Sequence, residues 1–194
     1  LERDAEAQRL STLFEATPDA LPLVLLPDGT VLRGAGTAEL AGALGLRTST
    51  ESTLYDLVVV GAGPAGLAAA VYAASEGLSV AIIERDAPGG QAGQSARIEN
   101  YLGFPNGLSG SDLSHRATTQ ARRLGAEMVL ARSVEGLEQR GTIHAILFDD
   151  GTEVEARAVV VATGVSYRLL AAAGLADFTG RGVYYGAAAN DARS

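Results

Sequence analysis

The residues of this chain whose types and spacing could hold a dinucleotide are three glycines within six positions, Gly61-Ala-Gly63-Pro64-Ala65-Gly66, and an acid about 20 residues further on, Glu84. Gly61 allows a tight turn, Gly63 has no β-carbon to hold backbone away from a pyrophosphate, and Gly66 lets a helix lie close on a strand. Pro64 suits the first turn of that helix, with Ala65 beside it; the free N–H groups and positive dipole end there would face phosphates. Glu84 is placed to accept hydrogen bonds from ribose hydroxyls, and its charge would repel a 2′-phosphate. Arg85 next door weakens that discrimination, so the pattern favours the adenosine half of FAD or NAD over NADP.

Such residues need a strand, a helix and a second strand to position them, and the flanking sequence supplies all three. Residues 57–60 are an apolar run of strand type, and the helix starting at Pro64 runs to about Ser75. Ala65, Ala68, Ala69, Ala70, Ala73 and Ala74 make its packing face small, and Gly77 ends it. Residues 79–83 give the second strand, finishing in Glu84. Further on, residues 111–124 predict a helix with Asp112 near its start and Arg122 and Arg123 near its end, matching the macrodipole. Residues 126–130, 133–138, 142–148 and 153–157 read as short strands, with Asp149-Asp150-Gly151 as a hairpin turn. Residues 158–161 read as a separate buried parallel strand ended by Ala162-Thr163-Gly164. His115 and His144 have no nucleophile or carboxylate in an evident relay and read as surface histidines.

The whole chain sets the bounds. Its 194 residues can bury one substantial core, or one domain and part of another. A formal net charge of -8 with no basic cluster beyond Arg122-Arg123 argues against a nucleic-acid surface. Zero cysteines remove disulfide, thiolate and cysteine-metal readings, and the absence of lysine removes Schiff-base chemistry. Residues 57–75 are uncharged but rich in Ala and Gly with a Pro inside, and they are already explained as strand, turn and helix, so no membrane span is expected. No signal-peptide pattern is present, and a cytoplasmic location is expected. Leu1 at the start and the uncapped Asn190-Asp-Ala-Arg-Ser194 at the end lead us to expect part of a longer protein.

Ahead of the glycine motif, residues 1–16 read as a solvated helix, residues 22–26 and 30–33 as two strands joined by Pro27-Asp28-Gly29, and residues 37–44 as a helix closed by Gly45. Pro22 before a strand, then a hairpin and a terminal helix, resembles the back half of thioredoxin- or glutaredoxin-like domains, whose cis-proline precedes such a strand. The expected organisation is a partial thioredoxin-like segment at 1–46, a polar linker at 47–54, a cofactor domain at 55–176, and the start of a nicotinamide-binding domain at 177–194.

Pro88-Gly89-Gly90-Gln91 and Ile98-Glu-Asn100-Tyr-Leu-Gly-Phe-Pro105 follow the GAGPAGL motif and Glu84 in an order and spacing similar to the low-molecular-weight thioredoxin reductase family. The resemblance covers about residues 54–191 and implies a Rossmann-type, doubly wound α/β domain with an inserted β-meander. It implies FAD as cofactor and NAD(P)H as reductant, with FAD carrying the redox chemistry and no side chain of this chain catalytic. Gly90 and Gln91 would line the flavin, Asn100 would bond the isoalloxazine or ribityl chain, and Val134 would sit beside the adenine through its backbone. Ala162, Thr163 and Gly164 match the family's ATG signature, where backbone passes close to FAD. The family's CxxC and following acid fall on Gly186, Ala189 and Asn190, with Asp191 one place late, so no dithiol relay is expected. The resemblance therefore implies an oxidoreductase passing electrons to an unidentified non-dithiol acceptor, and a homodimer. A non-catalytic nucleotide-binding or partner-binding module is the alternative; an NAD-binding dehydrogenase half leaves PGGQ, the Asn100 segment and ATG without a place.

Overall fold

The computed structural model describes residues 4–15, 17–166, 168, 170–172, 174–178 and 183. It divides into two compact units, Leu1–Thr163 and Gly164–Ser194. In the first, helix α1 (Ala5–Leu13) is capped by Asp4, whose carboxylate accepts from the Glu6 and Ala7 N–H groups. Strands β1 (Leu23–Leu25) and β2 (Val31–Arg33) pair antiparallel, and helix α2 (Thr37–Ala43) follows. The Leu21–Pro22 peptide before β1 is cis. Gly45, at φ +67, closes α2 as the sequence predicts, with Leu46 N–H bonding back to the Ala41 carbonyl.

Strand β3 (Leu54–Val60) leads into helix α3 (Pro64–Ser75), then β4 (Val80–Glu84), helix α4 (Gly110–Arg123) and β5 (Glu127–Leu130). These are followed by β6 (Val134–Arg140), β7 (Ile143–Phe148) and β8 (Glu153–Val161). One six-stranded sheet in the order β5-β4-β3-β8-β7-β6 results, parallel from β5 through β8 and antiparallel through β7 and β6. β3 lies near its centre and is buried on both faces, which is why Leu57–Val60 reads as a continuous apolar run. On one face Leu57, Val59, Ile82 and Met128 pack under Leu67, Ala70 and Ala74 of α3 and Ala121 of α4. On the other, Val58, Ile83 and Val129 join Ile146, Phe148 and Val154. Leu67 is 1 % exposed, so Leu67→Ala would cost about 2–5 kcal/mol by leaving a cavity.

Two expectations change. Residues 153–157 and 158–161 are one continuous strand, β8, with Arg157 Nε paired to Asp56 Oδ1 on β3 at 3.3 Å; the 158–161 half is parallel to β3 as expected but is not buried, Ala158 and Val161 being exposed. Residues 127–130 belong to the parallel sheet beside β4, and the antiparallel meander is β6-β7-β8 alone, hydrogen-bonded onto the sheet through β8. In the second unit, helix α5 (Leu175–Phe178) is followed by a Val183 N–H bond to the Phe178 carbonyl at 3.0 Å. Gly186, Ala189, Asn190 and Asp191 lie outside the described residues.

Candidate functional site

The glycine turn joins β3 to α3, and each glycine answers to a different constraint. Gly61 sits at φ +103, and a β-carbon there would lie 2.4 Å from the Ala162 carbonyl oxygen. At Gly66 a β-carbon would lie 1.9 Å from the Gly61 carbonyl oxygen, inside any tolerable contact. Gly63 is different. Its φ of -71 suits any residue, and a β-carbon there would meet no protein atom within 4 Å. Neither the backbone nor the packing of the chain asks for glycine at that position, which leaves the space beside it open.

Gly63 is also the N-cap of α3, and no side chain caps that helix start. Pro64 occupies its first turn, and Ala65 is exposed there. The unpaired N–H groups of the first turn, with the positive end of the helix dipole, make this an anion-accepting end.

Glu84 is drawn into the turn. Its Oε2 accepts from the Ala62 N–H at 2.7 Å and its Oε1 from the Asp86 N–H at 2.9 Å. Each carboxylate oxygen keeps a second lone pair, so Glu84 can buttress the turn and still accept from a hydroxyl. Arg85 points away into an exposed pair with Asp86, Nε to Oδ2 at 3.1 Å.

The loop after β4 folds back over the same turn. Gly89 N–H donates to the Ala62 carbonyl at 2.8 Å, and Gly89 and Gly90 both have positive φ, +111 and +52. A β-carbon at Gly90 would stand 3.5 Å from the Gly63 Cα, so the two bare backbones face one another. Gln91 follows in the short 3-10 turn Gly90–Gln94 and is exposed. The loop is backed by α4, since a β-carbon at Gly89 would strike Ser114 Oγ at 2.2 Å, and one at Gly110 the Ala92 carbonyl at 1.8 Å. Ala162 closes the other side: its N–H bonds the Val60 carbonyl at 2.8 Å, and Thr163 follows it, exposed. Gly164, at φ +70, is the first residue of the second unit.

The structure thus gathers Gly61, Gly63, Gly66, Glu84, Gly90, Ala162 and Thr163 at the carboxyl ends of β3, β4 and β8. Asn100 is exposed in the loop between the 3-10 turn and α4, and no described hydrogen bond ties it to the glycine turn. Val134 begins β6 opposite Phe148, beyond the end of β4. Sequence reasoning missed the roles of Ala62, Gly89 and Ser114, which depend on loops meeting in space. It also passed over Ser109, the N-cap of α4, whose hydroxyl accepts from the Asp112 N–H at 3.1 Å; the S-x-x-D spacing is a signal that finds it.

At the far end of β3 from this turn lies a second polar cluster. Tyr55 donates its hydroxyl to Glu127 Oε2. Burial, and then that bond, push the Tyr55 phenol up to about 12. Glu127 Oε1 also accepts from the Glu51 N–H at 2.8 Å and from Arg47 Nη1 at 3.2 Å. Among the described residues no group of His, Asp or Glu is arranged to hold a metal ion, and no helix is long and apolar enough to cross a membrane.

Residues 55–194 match the pyridine nucleotide-disulphide oxidoreductase family. The chain is 39% identical over 140 residues to thioredoxin reductase of Listeria monocytogenes, covering 71% of this chain and 42% of that protein. It is 37% identical over 136 residues to that of Bacillus subtilis, covering 70% and 42%. Among solved structures it is similar to thioredoxin reductase of Streptococcus pyogenes, with a TM-score of 0.59 at 39% identity over 67% of this chain and 42% of that one. T. acidophilum thioredoxin reductase gives a TM-score of 0.60 at 33% identity over 68% of this chain and 42% of that one. The chain therefore spans less than half the length of these relatives. On a glycine turn, a buttressing acid and a covering loop that its own geometry brings together, and on these matches, the chain belongs to the pyridine nucleotide-disulphide oxidoreductase family, in its low-molecular-weight thioredoxin reductase-like branch.

Proposed function

We propose that this chain is the FAD-binding portion of a flavoprotein oxidoreductase that passes electrons from NAD(P)H to an acceptor other than a dithiol. The observation that carries the reading is the uncapped start of α3 at Gly63, where the bare backbone of Gly90 faces it and Glu84 buttresses the turn. A pyrophosphate is the group that such a position accommodates. In this reading Gly61, Gly63, Pro64, Ala65 and Gly66 hold the pyrophosphate, and Glu84 accepts from ribose hydroxyls while fixing Ala62. Gly90 and Gln91 cover the flavin side, Ala162, Thr163 and Gly164 bring backbone close from β8, Asn100 closes on the ring system, and Val134 meets the adenine. FAD, when bound, supplies the two-electron chemistry; the protein contributes position and electrostatics.

The acceptor follows from residue types. Gly186 and Ala189 stand where the family's two cysteines would, and neither side chain can relay electrons. The same substitution motivates a second reading, a nucleotide-binding module without turnover. One experiment separates them: NADH and NADPH oxidation by the full-length protein with added FAD. Steady oxidation with oxygen, a quinone or a dye as acceptor supports the enzyme; FAD binding with no oxidation supports the module; no FAD binding overturns both.

Residues 1–46, in which the β1–β2 hairpin and α2 follow α1 and a short 3-10 turn, are proposed as part of a thioredoxin-like segment. A cytoplasmic location and a homodimer complete the proposal.

A further inference from the structure

The crossover from β5 to β6, residues 131–133, carries contacts that the flavin reading does not use. Ala131 sits at φ +56, a left-handed conformation uncommon for alanine. The Arg132 N–H donates to the Glu84 carbonyl at 3.2 Å, which sets Arg132 beside the residue whose carboxylate supports the glycine turn. Its guanidinium lies 4.3 Å from the centroid of the Phe148 ring. Both terminal nitrogens reach the Asp150 carboxylate, with Nη2 to Oδ1 at 2.9 Å, and Nη2 also donates to Thr152 Oγ1. Beside it, the Ser133 carbonyl accepts from the Asp149 N–H at 3.2 Å, and Val134 opens β6 opposite Phe148.

Only 17% of the Arg132 side chain is exposed, and its Nε is buried with no hydrogen-bond partner among the described residues. A buried donor without a partner is a cost, and an Arg–Asp pair at the protein surface stabilises a fold weakly. What this arrangement fixes is position. A planar fork held by three oxygens and lying over a ring has one orientation, which a lysine in its place cannot reproduce. The crossover is thereby fastened to the β7–β8 turn at the point where it passes the end of β4.

We propose that Arg132 is a positioning residue for the adenosine half of the cofactor: its clamp on Asp150 and Phe148 holds the backbone of residues 133–134 in place beyond Glu84. The proposal rests on the flavin reading above. Arg132 acts through the backbone, because its fork is already engaged by Asp150 and Thr152.

The test uses the full-length protein and two single variants, Arg132→Met, which keeps the packing on Phe148, and Asp150→Asn, together with the double variant. FAD binding is read by flavin fluorescence and ADP binding by calorimetry, each at a protein concentration and temperature where the variants are folded. Amide exchange at 133 and 134 is followed in cofactor-free protein. Each single variant is expected to weaken FAD and ADP by the same factor, about tenfold, the low end of what loss of an orienting contact behind a ligating group costs in metal sites. The double variant should be no weaker than either single one, and exchange at 133–134 should quicken in all three. Unchanged FAD and ADP affinities in folded variants, even with a lowered Tm, would make the pair merely structural and overturn the proposal. A loss seen with FAD but not with ADP would place the effect away from the adenosine and overturn it as well. Wild-type protein that binds neither FAD nor ADP overturns the flavin reading itself, and that result is read before any variant is made.

Discussion

At the scale of single residues, the glycine turn separates two reasons for having no side chain. Gly66→Ala forces a β-carbon into the Gly61 carbonyl and should destabilise the fold by about 1–3 kcal/mol, the range of overpacking, with binding lost as a consequence. Gly63→Ala meets no protein atom, so thermal unfolding should shift by no more than about 1 kcal/mol, the cost of a poorer helix cap, while FAD affinity falls. Gly63→Asp should abolish binding without unfolding the protein, because a carboxylate then stands where pyrophosphate must lie. Stoichiometric FAD in the Asp variant, seen by its absorption after desalting, would remove this turn from the site. Glu84→Ala should weaken FAD binding by about 1–3 kcal/mol through lost charge-assisted bonds. It should also loosen the turn, since the Ala62 N–H loses its acceptor; quicker amide exchange at Ala62 is the second readout.

At the scale of elements, the cluster at the start of β3 makes stability depend on alkaline pH. The Tyr55 phenol titrates near 12 in the folded chain against 10.0 for a free tyrosine, so between these values the folded state holds the proton more tightly than the unfolded one. Stability is then fully present below about pH 10 and falls as pH rises toward 12. Chemical denaturation across that window should show this slope, and Tyr55→Phe should flatten it while lowering stability at neutral pH by about 1 kcal/mol for the lost bond. An unchanged slope in Tyr55→Phe would assign the effect to other groups.

This cluster also marks the limit of what could be read from sequence. The β3-turn-α3-β4 unit was legible because its constraints are local: glycines force the turn, alanines the close helix, and Glu84 ends the strand that positions it. Glu127 gave no such sign. Its partners Tyr55, Glu51 and Arg47 lie more than seventy residues earlier, and a lone Glu before an apolar run looks like a solvated strand end. Arg132 was hidden for the same reason, its partners Phe148, Asp150 and Thr152 belonging to another hairpin. The continuity of β8 was hidden as well, because its first half pairs with β7 and its second half with β3, partners that no local pattern reveals.

At the scale of the whole molecule, thioredoxin is not expected to be a substrate. With NADPH and thioredoxin supplied, the full-length protein should show no disulfide reduction that depends on positions 186 and 189, which hold glycine and alanine. Turnover that persists after any cysteines elsewhere are replaced would show a relay of another kind. Restoring Cys at both positions would test whether the rest of the site still supports a dithiol.

The polar stretch expected as a linker has a consequence for how this protein can be cut. The Arg47 carbonyl accepts from the Leu130 N–H at 2.8 Å, and Glu51 meets Glu127, so residues 47–51 run along the outer edge of β5 from its last residue to its first. They act as a hem on a sheet whose raw edge would otherwise offer unpaired backbone to a neighbouring molecule. A recombinant version started at residue 55, where the family match begins, strips that hem and leaves Glu127 with Tyr55 alone. One started at 46 keeps it. The shorter version is expected to associate through the uncovered strand and to elute as a concentration-dependent mixture in size-exclusion chromatography, whereas the longer one should behave as the intact chain does.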